Sequence, residues 1–291
     1  MQEAPKGISR RNLIKGAAAG AGALALVGLG TGKSSAATPP KKWDKETDIV
    51  VIGYGAAGAA TAIAAHDAGA KVIILEKSSL PGGASRLSGG IIYAANTEYQ
   101  KAQGINDSAD EMIKYFRASN RGLMDPDILS TMANDSADMM KWLTSLGLKD
   151  YELQIAGAED LPEFAAITPP KKRGHCLKGL GKQMMTLLSQ AVDSRKIVVN
   201  MSTEVKEIVS NPVRNIMGVY AKTGSQKAMY IKAKKGVVIC AGGYSFNKAL
   251  VKSYAAMFAD AVPVGDPNST GSGIVVGAGE GAALTGFGGP E

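Results

Sequence analysis

Apolar residues are distributed along this chain in two ways. In the first they form short, β-branched, nearly uninterrupted runs: Asp48 to Ile52, Lys71 to Leu75 and Gly236 to Cys240. Such runs predict strands buried on both faces of a parallel sheet. Between the first two lies an alanine-rich stretch, Ala59 to Ala68, which predicts a helix stopped by Gly69. In the second way they recur at helical spacing. From Ser108 to Lys149 the pattern is helical: Pro126 suits a helix start, Leu129, Met132, Met139, Leu143 and Leu146 recur at three, four or seven, and Gly147 is a stop. The methionines read as core filler. A further helix is expected from Lys182 to Ser194.

Four shorter runs, Ile197–Asn200, Glu204–Val209, Ile216–Lys222 and Ala228–Ala233, are separated by turn signals at Asn211-Pro212 and Thr223-Gly224. They predict an antiparallel meander. The Gly236–Cys240 run then returns to the parallel sheet and ends in Ala241, Gly242 and Gly243. The fold class is α/β, with a parallel central sheet, an antiparallel β-meander and a helical insertion.

The turn after the first strand carries the chemistry. Gly53, Tyr54, Gly55, Ala56, Ala57 and Gly58 spell G-x-G-x-x-G where a strand must become a helix. Gly53 makes the tight turn, Gly55 admits a pyrophosphate without a Cβ in the way, and Gly58 lets the helix pack on the strand. Glu76 ends the second strand 18 residues past Gly58, where a carboxylate can accept hydrogen bonds from ribose hydroxyls. An acid there also disfavours a 2′-phosphate. The motif in this context predicts a Rossmann-like site for an adenine dinucleotide, FAD or NAD. Lys77 to Gly90, with Gly82, Gly83, Ala84, Ser85, Ser88, Gly89 and Gly90, reads as a loop whose backbone N–H groups wrap a phosphate or a flavin edge. Thr168 to Gly181 reads as a basic, glycine-rich loop carrying His175, for which a pocket role competes with a simple backbone partner. His66, in the first helix, is expected to face solvent.

Charge changes the picture only at the N-terminus. The chain has a formal net charge of +7, but residues 1–37 hold Lys6, Arg10, Arg11, Lys15 and Lys33 against Glu3, so only +3 belongs to the remainder. Arg10 and Arg11 precede an Ala/Gly/Leu-rich run from Gly16 to Gly30, too short and glycine-rich for a membrane-spanning helix, and Ser34 to Ala37 offers a cleavage site. This segment resembles a twin-arginine export signal, which implies a periplasmic protein, with residues 38–47 as a linker and 48–291 as the folded domain. No basic stripe interleaved with aromatics points to nucleic acid. Cys176 and Cys240 are too few for a disulfide framework or metal cluster, and neither lies in a haem-attachment motif. Electrons must then come from another protein or a diffusible donor.

Seven segments together resemble the FAD-binding domain of the fumarate reductase and succinate dehydrogenase flavoprotein family, nearest to the exported flavocytochrome c fumarate reductases and urocanate reductases. They are VIGYGAAGAATAIAA with Glu76-Lys77, GGASRLSGG, DPDILSTMANDSADMMKWLTSLG, Arg173-Gly174-His175, Thr203-Glu204-Val205, VVICAGGY up to Tyr244, and NSTGSGIVVGAGEGAAL from Asn268 to Leu284, which looks like the family's T-G-D-G segment. The resemblance implies FAD, with Glu76 as the ribose-binding acid. It adds Lys77, Val205, Ala241, Gly242, Gly243 and Ser272 to the candidate contacts, beside Gly53, Gly55, Ala57, Gly58 and the 82–90 loop.

The pattern departs from the family in three places. No histidine stands near Gly83, where membrane-bound members attach the flavin, which implies non-covalent FAD. Ser272 replaces the T-G-D-G aspartate, altering one expected cofactor contact. The sequence ends at Glu291, ahead of the family's capping domain, substrate-binding histidine, proton-donating arginine and second flavin-binding segment. The family's activity is hydride transfer from reduced flavin N5 to the C=C bond of an unsaturated carboxylate, fed by a cytochrome or quinol-linked donor. As written, the chain is expected to form much of the ADP half of a FAD site, with catalytic residues unassigned and little turnover of its own. Two other readings are a non-catalytic FAD-binding or electron-relay subunit completed by a partner chain, and a 3-ketosteroid dehydrogenase-like flavoenzyme.

Overall fold

The structure is a computed structural model, and it describes residues 39–284. The expected export signal in residues 1–37 and the end of the chain at Glu291 lie outside the described residues. Strand β1 (Lys45–Ile52) is followed by helix α1 (Ala56–Asp67), strand β2 (Val72–Leu75) and a one-turn helix α2 (Gly83–Leu87). β1 therefore begins three residues ahead of the expected Asp48. α2 lies where a loop was expected.

The principal sheet has six strands in the order β6 (Val198–Asn200), β2, β1, β9 (Ala228–Ile239), β8 (Ile216–Thr223) and β7 (Thr203–Ser210). β6, β2, β1 and β9 are parallel, whereas β7, β8 and the first part of β9 pair antiparallel. The two strands expected at Ala228–Ala233 and Gly236–Cys240 are thus one strand of 12 residues that belongs to both halves of the sheet. A bulge at Lys234-Lys235 lets it do so: Thr47 faces Ala233 and Ile49 faces Gly236, so β9 carries one residue more than β1 across that interval. The lysines there meet carboxylates, Lys234 with Glu46 at 2.7 Å and Lys235 with Asp48 at 4.0 Å. That is why a charged pair reads as a break in sequence yet does not break the strand.

β2 is buried at every position, as a central parallel strand should be. α1 covers one face of the sheet through Gly58, Ala59, Ala62 and Ile63, all buried, together with α7 (Leu180–Ser194). The opposite face packs Val50, Ile52, Ile73 and Leu75 against Val205, Val219, Ala221 and Ile231.

The stretch between β2 and β6 builds a second layer. Strand β3 (Ile91–Tyr93), helices α3 (Glu98–Ala102), α4 (Ala109–Ser119) and α5 (Pro126–Ser145), strand β4 (Tyr151–Gln154), helix α6 (Pro162–Ala165) and strand β5 (Gly174–Leu177) include a three-stranded antiparallel sheet, β3-β5-β4. β5 lies in the stretch expected to be a loop. α5 starts as expected: Asp125 caps the N–H groups of Asp127 and Ile128 at 2.9 and 3.2 Å, and Pro126 opens the first turn. Its buried face is shifted from expectation. Leu129, Ala133, Ser136, Met140 and Leu143 are buried, while Met132 and Met139 are 36% and 38% exposed. Ser136 points inward because its Oγ accepts the Ala95 N–H (3.1 Å), a partner that apolar periodicity does not register.

Candidate functional site

A groove of about 460 Å³ runs along the carboxyl ends of β1, β2 and β9, where a doubly wound sheet places its ligand. Three backbone segments converge there. β1 ends at Ile52, whose carbonyl accepts the Cys240 N–H at 2.7 Å, and Gly53 donates to Leu75 O at 2.8 Å. Gly53 has φ +102°, and a Cβ there would lie 2.4 Å from Cys240 O. A Cβ on Gly58 would lie 2.0 Å from Gly53 O. These two glycines draw strand, turn and helix together. Gly55 is different: its Cβ position faces the groove, 3.5 Å from Ser85 Oγ and 3.7 Å from Gly82 O. At the start of α1 the Ala56 N–H donates to Ser85 Oγ (3.2 Å), and the Gly82 N–H donates to Tyr54 O (2.8 Å). The 82–85 segment is thereby tied to the helix end that attracts anions.

Glu76 is 9% exposed on the floor of the groove. Its Oε2 accepts the Tyr54 N–H and its Oε1 the Ser78 N–H, both at 2.7 Å. Each oxygen keeps further acceptor capacity, and the two amides fix the plane of the carboxylate. Lys77 donates to Thr270 Oγ1 at 2.9 Å. Burial pulls its pKa below the usual lysine value, opposed by Glu204, Asp266 and Glu76. Val205 closes one wall, and Ala241 and Gly242 (φ +72°) another. Ser272 opens helix α9 (Ser272–Gly279), which follows α8 (Lys248–Tyr254); its first turn also faces the groove, with N-cap Gly271 tied to Gly243 O at 2.9 Å.

Of the residues singled out by sequence, Gly53, Gly55, Ala57, Glu76, Lys77, Gly82, Gly83, Ala84, Ser85, Val205, Ala241, Gly242 and Ser272 line this groove together. Gly58, Ser88, Gly89, Gly90 and Gly243 do not. Gly58 packs under the turn, and Gly243 anchors α9. Ser88 O accepts the Gly181 N–H at 3.0 Å, and a Cβ on Gly90 would lie 2.4 Å from the Leu180 carbonyl carbon, so that end of the loop locks α2 onto α7. One polar wall residue, Asp266, lay outside every segment singled out by sequence. Gly265-Asp266-Pro267 reads as an ordinary turn, and nothing in its spacing ties it to the glycine motif 200 residues earlier.

His175 lies away from the groove. It is buried in β5, with Nδ1 2.9 Å from Arg173 O and Nε2 2.8 Å from Thr97 Oγ1, and it packs edge-on to Tyr99 and Tyr151. Burial lowers its pKa below the ordinary value. Its partners are a backbone carbonyl and a hydroxyl, the blander of the two roles open to it. Cys240 is half-buried at the β9 tip, 3.7 Å from Thr61 Oγ1, and burial raises its thiol pKa.

The donor set suits a flavin dinucleotide's ADP end: a helix N-terminus without a Cβ at Gly55 for the pyrophosphate, and an oriented carboxylate beyond it for ribose hydroxyls. The comparisons agree. A 31% identical stretch of 252 residues is shared with the acrylate reductase flavoprotein subunit of Shewanella woodyi, covering 82% of this chain and 47% of that one. The fumarate reductase (cytochrome) of Shewanella frigidimarina is 28% identical over 237 residues, 81% of this chain and 40% of that protein. In three dimensions the chain superposes on a 3-ketosteroid-Δ4-(5α)-dehydrogenase from Rhodococcus jostii RHA1 with TM-score 0.79 and 27% identity, over 86% of this chain and 56% of that one. The open conformation of a flavocytochrome c3 fumarate reductase gives TM-score 0.74 and 25% identity, over 98% and 45%. The chain spans less than half the length of the reductases it matches. The model of the FAD binding domain family matches residues 48–288, so the chain belongs to that family and its cofactor is FAD.

Proposed function

We propose that this chain holds the ADP end of a non-covalently bound FAD in an oxidoreductase that reduces the C=C bond of an unsaturated carboxylate. The observation that carries the reading is the convergence of Gly55, the start of α1, Ser85 and Glu76 on one groove. In it the α1 N-terminus and the 82–85 segment would hold the pyrophosphate, Glu76 would accept ribose hydroxyls, and Val205 would give the groove an apolar wall. FAD supplies the hydride chemistry when bound. The protein's part is to bind it, orient it and keep its anionic centre against the helix end. Relatives described as fumarate and acrylate reductases support the substrate class. An external cytochrome or quinol-linked protein is the proposed donor, and export by the twin-arginine pathway to the periplasm the proposed location. The length beyond the matched region in the relatives supports catalytic residues supplied by further polypeptide, whether in the same chain or a partner.

The purified protein is expected to be yellow after gel filtration and to release its flavin into the supernatant on acid precipitation. A colourless folded protein would sink the cofactor site, and flavin pelleting with the protein would sink non-covalent binding. Dye-linked reduction is to be assayed with fumarate, acrylate and urocanate. The superposition on a 3-ketosteroid dehydrogenase favours one second reading, and dye-linked oxidation of a 3-ketosteroid with no reduction of the acids would select it.

A further inference from the structure

The wall of the groove carries a carboxylate that the glycine-motif logic does not use. Asp266 is half-buried in the segment leading to α9 and lines the groove. Its Oδ1 accepts the Asn268 N–H at 3.0 Å and Asn268 Nδ2 at 3.1 Å, and its carbonyl accepts the Ser269 N–H at 2.9 Å. The turn is anchored on both sides. Ser269 O accepts the Phe246 N–H at 3.0 Å, Thr270 O accepts Asn247 Nδ2 at 2.9 Å, and Thr270 Oγ1 accepts Lys77 Nζ at 2.9 Å. Asp266 is therefore held in place before any ligand arrives. Its Oδ2 forms no hydrogen bond among the described residues and lies 3.3 Å from where a Cβ on Gly83 would sit.

Lys77 offsets part of the Asp266 charge, but an oxygen facing a site for a pyrophosphate is still repelled by the phosphates and gains most where it meets donors. FAD offers hydroxyl donors on both sides of its pyrophosphate, on the ribose and on the ribityl chain, and Glu76 serves one of them. We infer that Asp266 Oδ2 is a second sugar-hydroxyl acceptor for FAD, beside Glu76. The inference rests on the FAD reading and deepens it.

The test is binding, read by flavin fluorescence and calorimetry rather than by turnover. Asp266→Asn keeps an oxygen to accept the Asn268 N–H, so the turn survives while the charged acceptor is lost. It is expected to raise the FAD dissociation constant about tenfold, or about 1.4 kcal/mol, for the loss of one charge-assisted hydrogen bond. Asp266→Ala, which removes both oxygens, should weaken FAD at least as much. ADP and FMN separate the two sugars: weakening of FAD and ADP alike assigns the ribose, weakening of FAD and FMN with ADP unchanged assigns the ribityl chain, and either supports the inference. An FAD constant that is unchanged or lower in Asp266→Asn overturns it, and would make the side chain a repulsive placeholder. A wild-type protein that binds neither FAD nor ADP is a distinct result and removes the underlying site.

Discussion

The groove and the helical layer spanning β3 to β5 solve opposite problems. The groove is shaped by backbone: glycines at 53 and 55, amides on Glu76, and a helix end satisfied by a serine hydroxyl. The helical layer is tied by side chains. Arg173, fully buried, donates from Nε and Nη2 to both oxygens of Asp107 at 2.9 and 2.8 Å. Gln100 Nε2 donates to the same carboxylate at 3.0 Å and to Lys172 O at 3.1 Å, while Thr97 caps α3 and meets His175. Tyr93 donates to Glu159, and both burial and that carboxylate raise its pKa. The first arrangement leaves polar groups able to take a ligand. The second consumes nearly all of its polar groups internally, so it specifies a shape and not a binding chemistry.

The contrast can be tested by breaking each region separately. Arg173→Ala leaves the Asp107 carboxylate buried without its cation and should cost about 3–5 kcal/mol, read as a fall in the urea midpoint. A loss under about 1 kcal/mol would show that the layer does not depend on this pair. Met140→Ala, on the buried face of α5, should cost about 2–5 kcal/mol, while Met139→Ala on the exposed flank stays within about 0.5. Equal costs would reject the shifted face. In the groove, Glu76→Gln should weaken FAD about ten- to a hundredfold, from charge-assisted hydrogen bonds of roughly 1.5–3 kcal/mol. Part of any stability loss reports the Tyr54 and Ser78 amides, which the apoprotein's melting temperature isolates.

The smallest effect is on pH dependence. His175 is kept neutral, its folded pKa lying below the unfolded value near 6.5, so below about pH 6.5 the unfolded chain binds a proton that the folded one refuses. Its contribution is present in full above that pH. It is lost as pH falls, by at most about 1.4 kcal/mol per unit, until the folded pKa is reached. His175→Gln should flatten the stability profile there, and an unchanged slope would assign the titration elsewhere.

Reading by pattern succeeded where neighbours along the chain are neighbours in space. The β-α-β unit, the turn that follows β1 and the start of α5 at Pro126 all involve short separations. It faltered where distant groups decide. Lys234-Lys235 looks like a break until Glu46 and Asp48 face it, Thr168–Gly181 looks like a loop until β3 and β4 pair with β5, and Met132 and Met139 look buried until Ala95 claims Ser136.

The sequence by itself determined a dinucleotide-binding α/β domain, because glycine at 53, 55 and 58 and an acid at the end of the second strand are backbone requirements that spacing expresses directly. Only the tertiary structure decided which half of the 82–90 loop faces the groove and which half packs on α7, that the histidine of β5 belongs to the core, and that Asp266 stands on the wall of the groove. Those outcomes depend on contacts between residues up to about two hundred positions apart, whose partners no local pattern names.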